Sequence, residues 1–214
     1  CTFNDEIYFA HPESVSKDVK MKKLEFRKCM IEKSFNLHYS KNSICEIEQI
    51  DIQNTTFKSE FLINNSIIEN ISLFLNTFES IVELNENRIN VFDCSQSKFN
   101  GITTFTGTTF KSIKFKAIVF DKLVIFNNIK IKNILDLKGI TFRDEANFLE
   151  MKNIKEGKLE TKNIENRETA RIIKHSLDKV GNIIEANKFY TLEMEHYKKE
   201  LDESKESNIQ EKFI

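Results

Sequence analysis

A run of phenylalanines spaced by five residues constrains this chain more than any other feature. Within the segment FNGITTFTGTTFKSIKFKAIVF, the residues Phe105, Phe110, Phe115 and Phe120 lie five apart. An α-helix repeats about every 3.6 residues and a β-strand about every two, so neither element generates this spacing. The spacing predicts a repeat protein in which each short unit adds one apolar side chain to a common core.

The same five-residue register extends in both directions from this segment. Its centres run from Met21 to Ile164 and are apolar except at Asn42, which we interpret as a local slip of register beside Ile44. Six-residue steps follow five phenylalanine centres that are 21, 21, 21 and 22 residues apart, namely Phe57, Phe78, Phe99, Phe120 and Phe142. An extra residue at the same place in each cycle predicts a coil with four short sides.

Stacked coils bring equivalent residues together at the spacing of β-strands. One inward column is predicted to contain Phe57, Phe78, Phe99, Phe120 and Phe142, and the next to contain Ile63, Leu84, Phe105, Phe126 and Phe148. Residues 21–164 make about seven coils, which at roughly 4.8 Å per coil form a stack roughly 33 Å long. The chain has 5 Gly and 1 Pro, too few for an all-β protein built of tight hairpins, so the corners of the coil must replace hairpin turns.

The units TTFTG, TTFKS, IKFKA and IVFDK at residues 103–122 resemble the repeat of the pentapeptide-repeat family. Each has a small or apolar residue, any residue, a central Phe and two more residues. The resemblance covers about two thirds of the chain. It implies an all-β solenoid, and specifically a right-handed quadrilateral β-helix.

The repeat divides the chain into four segments. We expect an N-terminal cap or irregular segment over residues 1–20, in which HPESVSKD opens a short helix after Pro12. The pentapeptide-repeat β-helix is predicted over residues 21–165. A C-terminal α-helical hairpin follows over residues 166–202, and residues 203–214 form a polar tail.

The hairpin is predicted from apolar residues at helical spacing. Thr169, Ile173, Leu177 and Val180 share one face of the first helix, and Gly181-Asn182 supplies the turn. The apolar residues of the second helix are Tyr190, Met194, Tyr197 and Leu201 in one stripe, and Phe189 and Leu192 in another. The hairpin either caps the last coil or pairs through the second stripe with a copy of itself, as a homodimer.

The cysteines indicate neither a metal site nor a disulfide framework. Cys1, Cys29, Cys45 and Cys94 include no CxxC pair and have no nearby histidine group, so we predict no zinc site. The last three fall on inward positions, where they act as small buried hydrophobes. Reduced thiols and the lack of a membrane-spanning apolar stretch predict a cytoplasmic protein. Because the sequence starts at Cys1 rather than Met, we expect a fragment or a processed form.

No motif for a nucleophile, a phosphate-binding loop or a metalloprotease is present, so we predict no enzymatic activity and no cofactor. Glu193 and His196 have the ExxH spacing of half a carboxylate metal site. A partner ExxH is missing, so we interpret the pair as part of a solvated helix face.

The net charge of −1 conceals two opposed blocks. Residues 43–93 contain 9 acidic and 2 basic residues, a net −7, whereas residues 94–141 contain 8 basic and 2 acidic residues, a net +6. The basic block includes lysines predicted on two adjacent faces, namely Lys111, Lys114, Lys116, Lys130, Lys132 and Lys138. Lys114 is predicted one coil away from both Asp93 and Asp136, a placement that favours charge pairing between coils. The charged face is either a solvated surface or, with an exposed apolar patch of Val119, Leu123 and Ile125 beside it, an interaction surface.

Three functions are compatible with these patterns. The first is a non-catalytic scaffold that binds a protein partner of unknown identity on flat outer faces. The second comes from the resemblance, because some pentapeptide-repeat proteins mimic DNA and bind type II topoisomerases such as gyrase, although the basic block would interrupt a DNA-like field. The third is a soluble module of a larger membrane-associated protein. We expect no direct binding of nucleic acid and no membrane segment in these residues.

Overall fold

The computed structural model describes residues 1–10, 19–38, 45–154 and 157–211, with the side chains of residues 1–9, 19–37, 45–154 and 157–203. The chain forms a β-solenoid of three parallel sheets, followed by two α-helices. The predicted all-β solenoid with helices at its C-terminal end is therefore confirmed. The predicted helix after Pro12 and the predicted slip at Asn42 lie outside the described residues.

Each sheet contains seven strands, which pair in parallel with the strand three places away in the chain. The first sheet comprises β1 (Thr2–Phe3), β4 (Met30–Ile31), β7 (Thr56–Phe57), β10 (Thr77–Phe78), β13 (Lys98–Phe99), β16 (Ile118–Phe120) and β19 (Ile140–Phe142). The second comprises β2 (Ile7–Ala10), β5 (Phe35–His38), β8 (Phe61–Asn64), β11 (Val82–Glu83), β14 (Thr103–Thr104), β17 (Val124–Ile125) and β20 (Ala146–Asn147). The third comprises β3 (Val19–Arg27), β6 (Cys45–Gln53), β9 (Ser66–Phe74), β12 (Arg88–Ser95), β15 (Thr109–Lys116), β18 (Lys130–Asp136) and β21 (Lys152–Asn153). Five turns, from β7 to β21, are described without a gap.

Most strands of the third sheet are long because each contains two repeat centres. In β9, inward and outward residues alternate except at Glu69 and Asn70, which are both exposed. Two consecutive outward residues in an alternating strand mark a bend. The centres Ile68 and Leu73 lie on either side of it and are both buried. Each long strand of this kind therefore contains two repeat centres separated by a bend.

Both predicted inward columns are confirmed by strand register and ring stacking. Phe78 is paired with Phe57 on one side and with Phe99 on the other. The ring centroids of Phe78 and Phe99 are 4.7 Å apart, with an interplanar angle of 12°. In the second column, the rings of Phe105 and Phe126 stack at 4.9 Å and 3°. The aromatic core is thus a continuous stack along the axis of the solenoid.

Most corners between the sides use the left-handed backbone conformation at residues other than glycine, and only Gly107 and Gly139 are glycines with positive φ among the corners of the described coil. The residues with positive φ other than glycine are Lys28, Asn54, Asn65, Leu75, Glu86, Gln96, Ala117, Asn128 and Glu150. Most of their N–H groups stay in the inter-coil ladder; for example, Asn54 donates to the carbonyl of Phe74 at 2.8 Å and Leu75 donates to that of Ser95 at 3.2 Å. These hydrogen bonds offset the steric cost of positive φ and explain how so few glycines suffice.

Buried asparagines close the corners next to the aromatic columns. The Asn76 side chain donates from Nδ2 to the carbonyl of Ile52 at 2.8 Å and accepts from the N–H of Thr55 at 3.0 Å. Asn87 makes the equivalent bond to the carbonyl of Ile63 at 2.7 Å. Each amide thus satisfies backbone groups of a neighbouring coil that would otherwise be buried without partners.

The coil begins within residues 1–20, for which we predicted a cap or an irregular segment. β1 pairs with β4 so that Thr2 lies opposite Met30, and β2 pairs with β5.

The same register places Cys1 opposite Cys29, and the two form a disulfide with a Cα–Cα distance of 4.6 Å. Cys29 is buried as predicted, but the prediction that it is a reduced thiol is wrong. The coil brings together two cysteines that are 28 residues apart in the sequence. Cys45 and Cys94 are buried as predicted.

The helices α1 (Arg167–Lys179) and α2 (Ile183–Glu211) pack as a hairpin against the last coil. Gly181, with a φ of 74°, lies in the turn as predicted, but α2 continues to Glu211, within the segment predicted as a polar tail. Helix α1 caps free backbone donors of the coil, because Thr169 accepts from the N–H of Leu137 at 2.9 Å and Glu168 accepts from that of Gly139 at 3.0 Å. The capping role considered for the hairpin is therefore present in the structure.

Candidate interaction surface

The interior of the described coil is filled by side chains. Phe99, Phe105 and Phe126 are fully buried between the rings of neighbouring coils. Burial raises the pKa of the Cys94 thiol, which therefore stays protonated and is not a nucleophile. Within the described ranges, no group of three or more His, Cys, Asp or Glu side chains is placed to hold a metal ion. Any chemistry of recognition in this part of the chain therefore belongs to the outer surface.

Five of the predicted lysines form one cluster on the third sheet. Lys111, Lys114 and Lys116 are exposed on β15, and Lys130 and Lys132 are exposed on the adjacent strand β18. We call these five residues the lysine cluster. They lie on both sides of the bend in the long strands, in agreement with the two adjacent faces that the sequence predicts. Lys138 is also exposed but lies beyond the end of β18.

The register around Lys114 is confirmed, but the expected charge pairing is not seen. Lys114 lies opposite Asp93 on one neighbouring strand and opposite Asp136 on the other. The Asp136 carboxylate instead accepts hydrogen bonds from the Asn166 side chain at 2.8 Å and from the N–H of Lys138 at 3.0 Å. Asp136 is thus engaged at the start of the helical cap.

The acidic block, by contrast, is partly neutralised by basic residues of β3. Glu46 pairs with Lys20 at 2.7 Å. Asp51 pairs with Arg27 at 2.9 Å and lies 4.0 Å from Lys23. β3 lies outside the acidic block in the sequence, and the compensation arises because β3 pairs directly with β6 in the fold. The acidic strand β6 therefore presents less net negative charge than its sequence indicates.

Ion pairs between coils also organise the first sheet. Lys58 and Glu79 are 2.7 Å apart on neighbouring coils, and the hydrogen bond to Glu79 raises the pKa of Lys58. Asp121 lies between Lys98 and Arg143, with N–O distances of 2.9 Å to each. The hydrogen bond from Lys98, together with the positive charge of Arg143, lowers the pKa of Asp121. These charges hold adjacent coils together rather than remaining available to a partner.

The predicted apolar patch is distributed over two sheets. Val119 lies on β16 and Ile125 on β17, with Leu123 at the corner between them, and all three are partly buried. Leu123 instead continues a ridge formed by Ile81 and Ile102, which are both exposed. We did not predict this ridge, although the spacing of its members by 21 residues was the signal that would have identified it.

The two stripes of α2 have different environments. Phe189 and Leu192 are 6% and 8% exposed and belong to the core under the cap. Tyr190 and Tyr197 are 47% and 41% exposed, and each lies beneath a cation of α1, with Lys174 5.2 Å and Arg167 4.8 Å from the respective ring centroids. Met194 and Leu201 are exposed in the same stripe. The stripe predicted to pair with a second copy is therefore the buried one.

A groove of about 570 Å³ separates α2 from the segment that leads to the 3₁₀ turn Thr161–Asn163. Leu159, Phe189 and Leu192 are among the apolar residues that line it. Its charged rim is internally paired, since Lys188 lies 2.6 Å from Glu185 and the Thr161 hydroxyl donates to Glu195. The groove thus offers no convergent set of unpaired polar groups among its described residues.

None of the described helices is both long enough and apolar enough to cross a bilayer. Comparison of the chain with protein-family models, with curated proteins and with solved structures finds no match.

Proposed function

We propose that this protein is a non-catalytic scaffold that binds a protein partner on the outer faces of its solenoid. The observation that carries this proposal is the packing of the described coil, in which stacked side chains such as Phe78, Phe99 and Phe120 fill the interior. Flat faces made of parallel strands suit an extended contact with another macromolecule.

We further infer that the coil is the right-handed quadrilateral β-helix of the pentapeptide-repeat type, with about seven coils. The seven strands of each sheet support the number of coils. The bent long strands support four sides per coil, because one such strand supplies two sides. The inter-coil register of 21 residues, such as Phe78 opposite Phe99, is the register of the repeat in the sequence.

The scaffold function is tested by cross-linking the protein to partners captured from cells that express it. Cross-linked peptides are expected from the partner to outward residues of the solenoid, at sites that a heat-unfolded control does not reproduce. Cross-links restricted to α2 would contradict the assignment to the coil faces. Absence of any partner enriched over the control would contradict the scaffold function itself.

We also propose a homodimer through α2, using the exposed stripe rather than the buried one. Tyr190, Met194, Tyr197 and Leu201 follow one another at spacings of 4, 3 and 4 residues, as in a helix that pairs with another helix. Light scattering at increasing concentration is expected to approach twice the monomer mass, and the Met194→Glu variant to stay monomeric. A monomer at every concentration refutes the dimer.

The DNA-mimic function has less support from the charges. Such a mimic needs a continuous row of unpaired carboxylates, whereas Asp51 and Asp121 are each paired with basic side chains. The lysine cluster also faces outward on the same solenoid. We therefore expect no inhibition of gyrase in a supercoiling assay at micromolar protein.

A further inference from the structure

We propose that the lysine cluster is the docking surface for an acidic face of a protein partner. This inference rests on the proposed scaffold function and specifies both the surface and the chemistry of the partner. It starts from the contrast between the two charge blocks. Carboxylates such as Glu46 and Asp51 have basic partners within the chain, whereas the described residues provide no ion pair to any member of the lysine cluster.

The sheet holds the cluster in a fixed geometry. Neighbouring strands lie about 4.8 Å apart, and residues two apart along a strand lie roughly 6.6 Å apart. Thr109 pairs with Lys130, and Lys114 pairs with Asp136, with a one-residue shift of register between Phe110 and Ser112, so both lysine-bearing strands are held by pairing on either side of the shift. The aromatic core beneath them, including Phe110 and Phe115, is fully or almost fully buried. A partner therefore meets lysines that a paired sheet holds over a packed core, so on this protein the freedom lost on binding is mainly that of the lysine side chains.

The cluster also has a local excess of positive charge. Its five lysines are accompanied on β15 and β18 by Asp136 alone among acidic residues, and that carboxylate is engaged at the cap. The next strand, β12, carries one acidic and one basic residue, Asp93 and Arg88. Like charges held this close repel one another, and an acidic partner relieves that repulsion.

The surroundings of the cluster favour a protein over a nucleic acid. Asp93 and Asp136 flank Lys114 in the same row of the sheet, where they would repel a phosphate backbone that followed this row. The apolar side chains of Val91 and Ile154 are exposed on the flanking strand β12 and directly after β21. Mixed apolar and charged contacts are typical of protein interfaces, whereas a phosphate backbone is bound mainly through positive charge.

The experiment uses the full chain and labelled poly-L-glutamate as the acidic polypeptide probe, with duplex DNA as the competing probe. Fluorescence anisotropy is expected to show binding of poly-L-glutamate that weakens at least tenfold between 50 and 200 mM salt, because the Debye length shortens from about 14 Å to about 7 Å. The K111E/K114E/K116E variant is expected to lose at least tenfold in affinity. The K179E/K198E/K199E variant makes the same change in net charge at exposed helix positions and is expected to bind as the wild type does.

Circular dichroism establishes that each variant is folded, and K111Q/K114Q/K116Q replaces the glutamate variant if that one does not fold. Equal loss of affinity in the two charge-reversal variants would overturn the proposal, since binding would then follow net charge alone. Tighter binding of duplex DNA than of poly-L-glutamate would also overturn it, as would self-association that depends on the cluster.

The same variants separate this inference from the proposed function. If the wild type and the K111E/K114E/K116E variant capture the same cross-linked partner with equal yield, the docking surface is overturned. The scaffold function then remains intact. Failure of the wild type to capture any partner overturns the scaffold, whatever the result with poly-L-glutamate.

Discussion

Replacement of Phe99 by leucine measures how much the aromatic stack contributes to stability. Phe99 is fully buried, and its ring centroid lies 4.7 Å from that of Phe78 and 4.7 Å from that of Phe120. An aromatic pair contributes about 0.5–1.5 kcal/mol beyond the burial of its area. Leucine keeps most of the apolar volume but loses both ring pairs, so we expect Phe99→Leu to lower the free energy of unfolding by about 1–3 kcal/mol. Phe99→Ala also leaves a cavity and is expected to cost about 3–5 kcal/mol.

The matched control is Phe142→Leu, at the last stacked position of the same column. Phe142 is only partly buried and stacks on one side, with 5.5 Å between its ring centroid and that of Phe120. Its replacement is expected to cost less than Phe99→Leu, because Phe142 is only partly buried and its two ring contacts are longer, at 5.5 Å to Phe120 and 6.0 Å edge-on to Phe148. Urea unfolding followed by circular dichroism gives both values, provided that the slope of the transition is unchanged. Equal costs for the two variants would refute the argument that burial and close ring contacts set the difference.

Three further predictions concern the corners, the ion pairs and the cysteines. Leu75→Gly is expected to raise the melting temperature by about 1–3 °C, because it relieves a φ of 56° at an exposed side chain, whereas Thr104→Gly in a strand is expected to lower it. The folded pKa of Asp121 lies below its unfolded value, so its stabilising effect is complete above pH about 4 and is lost as the pH falls through the folded pKa. At pH 7 the wild type is thus expected to have a higher melting temperature than the Asp121→Asn variant, and this difference in melting temperature is expected to shrink below pH about 4. A difference that grows in acid contradicts the prediction. Thiol titration of the denatured, unreduced chain is expected to find two thiols, because Cys1 and Cys29 form a disulfide. A count of four thiols would contradict the disulfide and would support the predicted cytoplasmic location.

The register of the core could be predicted because every coil needs apolar side chains at the same inward positions. A centre such as Phe99 must face inward wherever the coil is closed, so its spacing along the chain marks the periodicity of the fold. The corners were less predictable, since positive φ occurs at residues as different as Leu75, Ala117 and Asn54. The inter-coil hydrogen bonds, which join residues about one coil apart, select that conformation against the local preference of the side chain.

The candidate surface also has features that the repeat predicts and features that it does not. Lys114 and its neighbours Asp93 and Asp136 were placed correctly because strand register follows from the repeat. The use of Asp136 by the helical cap could not be predicted, because it depends on where Asn166 returns to the coil, 30 residues later in the chain. The exposure of the Tyr190 stripe likewise depends on which face of α2 meets α1.

The sequence by itself determined the coil, the inward columns and the outward position of the lysine cluster, because side chains that repeat with the coil obey one rule at every turn. Tertiary structure decided which charges are neutralised, which cysteines meet and which helix stripe is buried. Those outcomes depend on contacts between coils or between the coil and the helices, such as Arg27 with Asp51 and Cys1 with Cys29. Contacts between residues far apart in the chain are set by the path of the folded backbone, and no periodicity along the sequence encodes them.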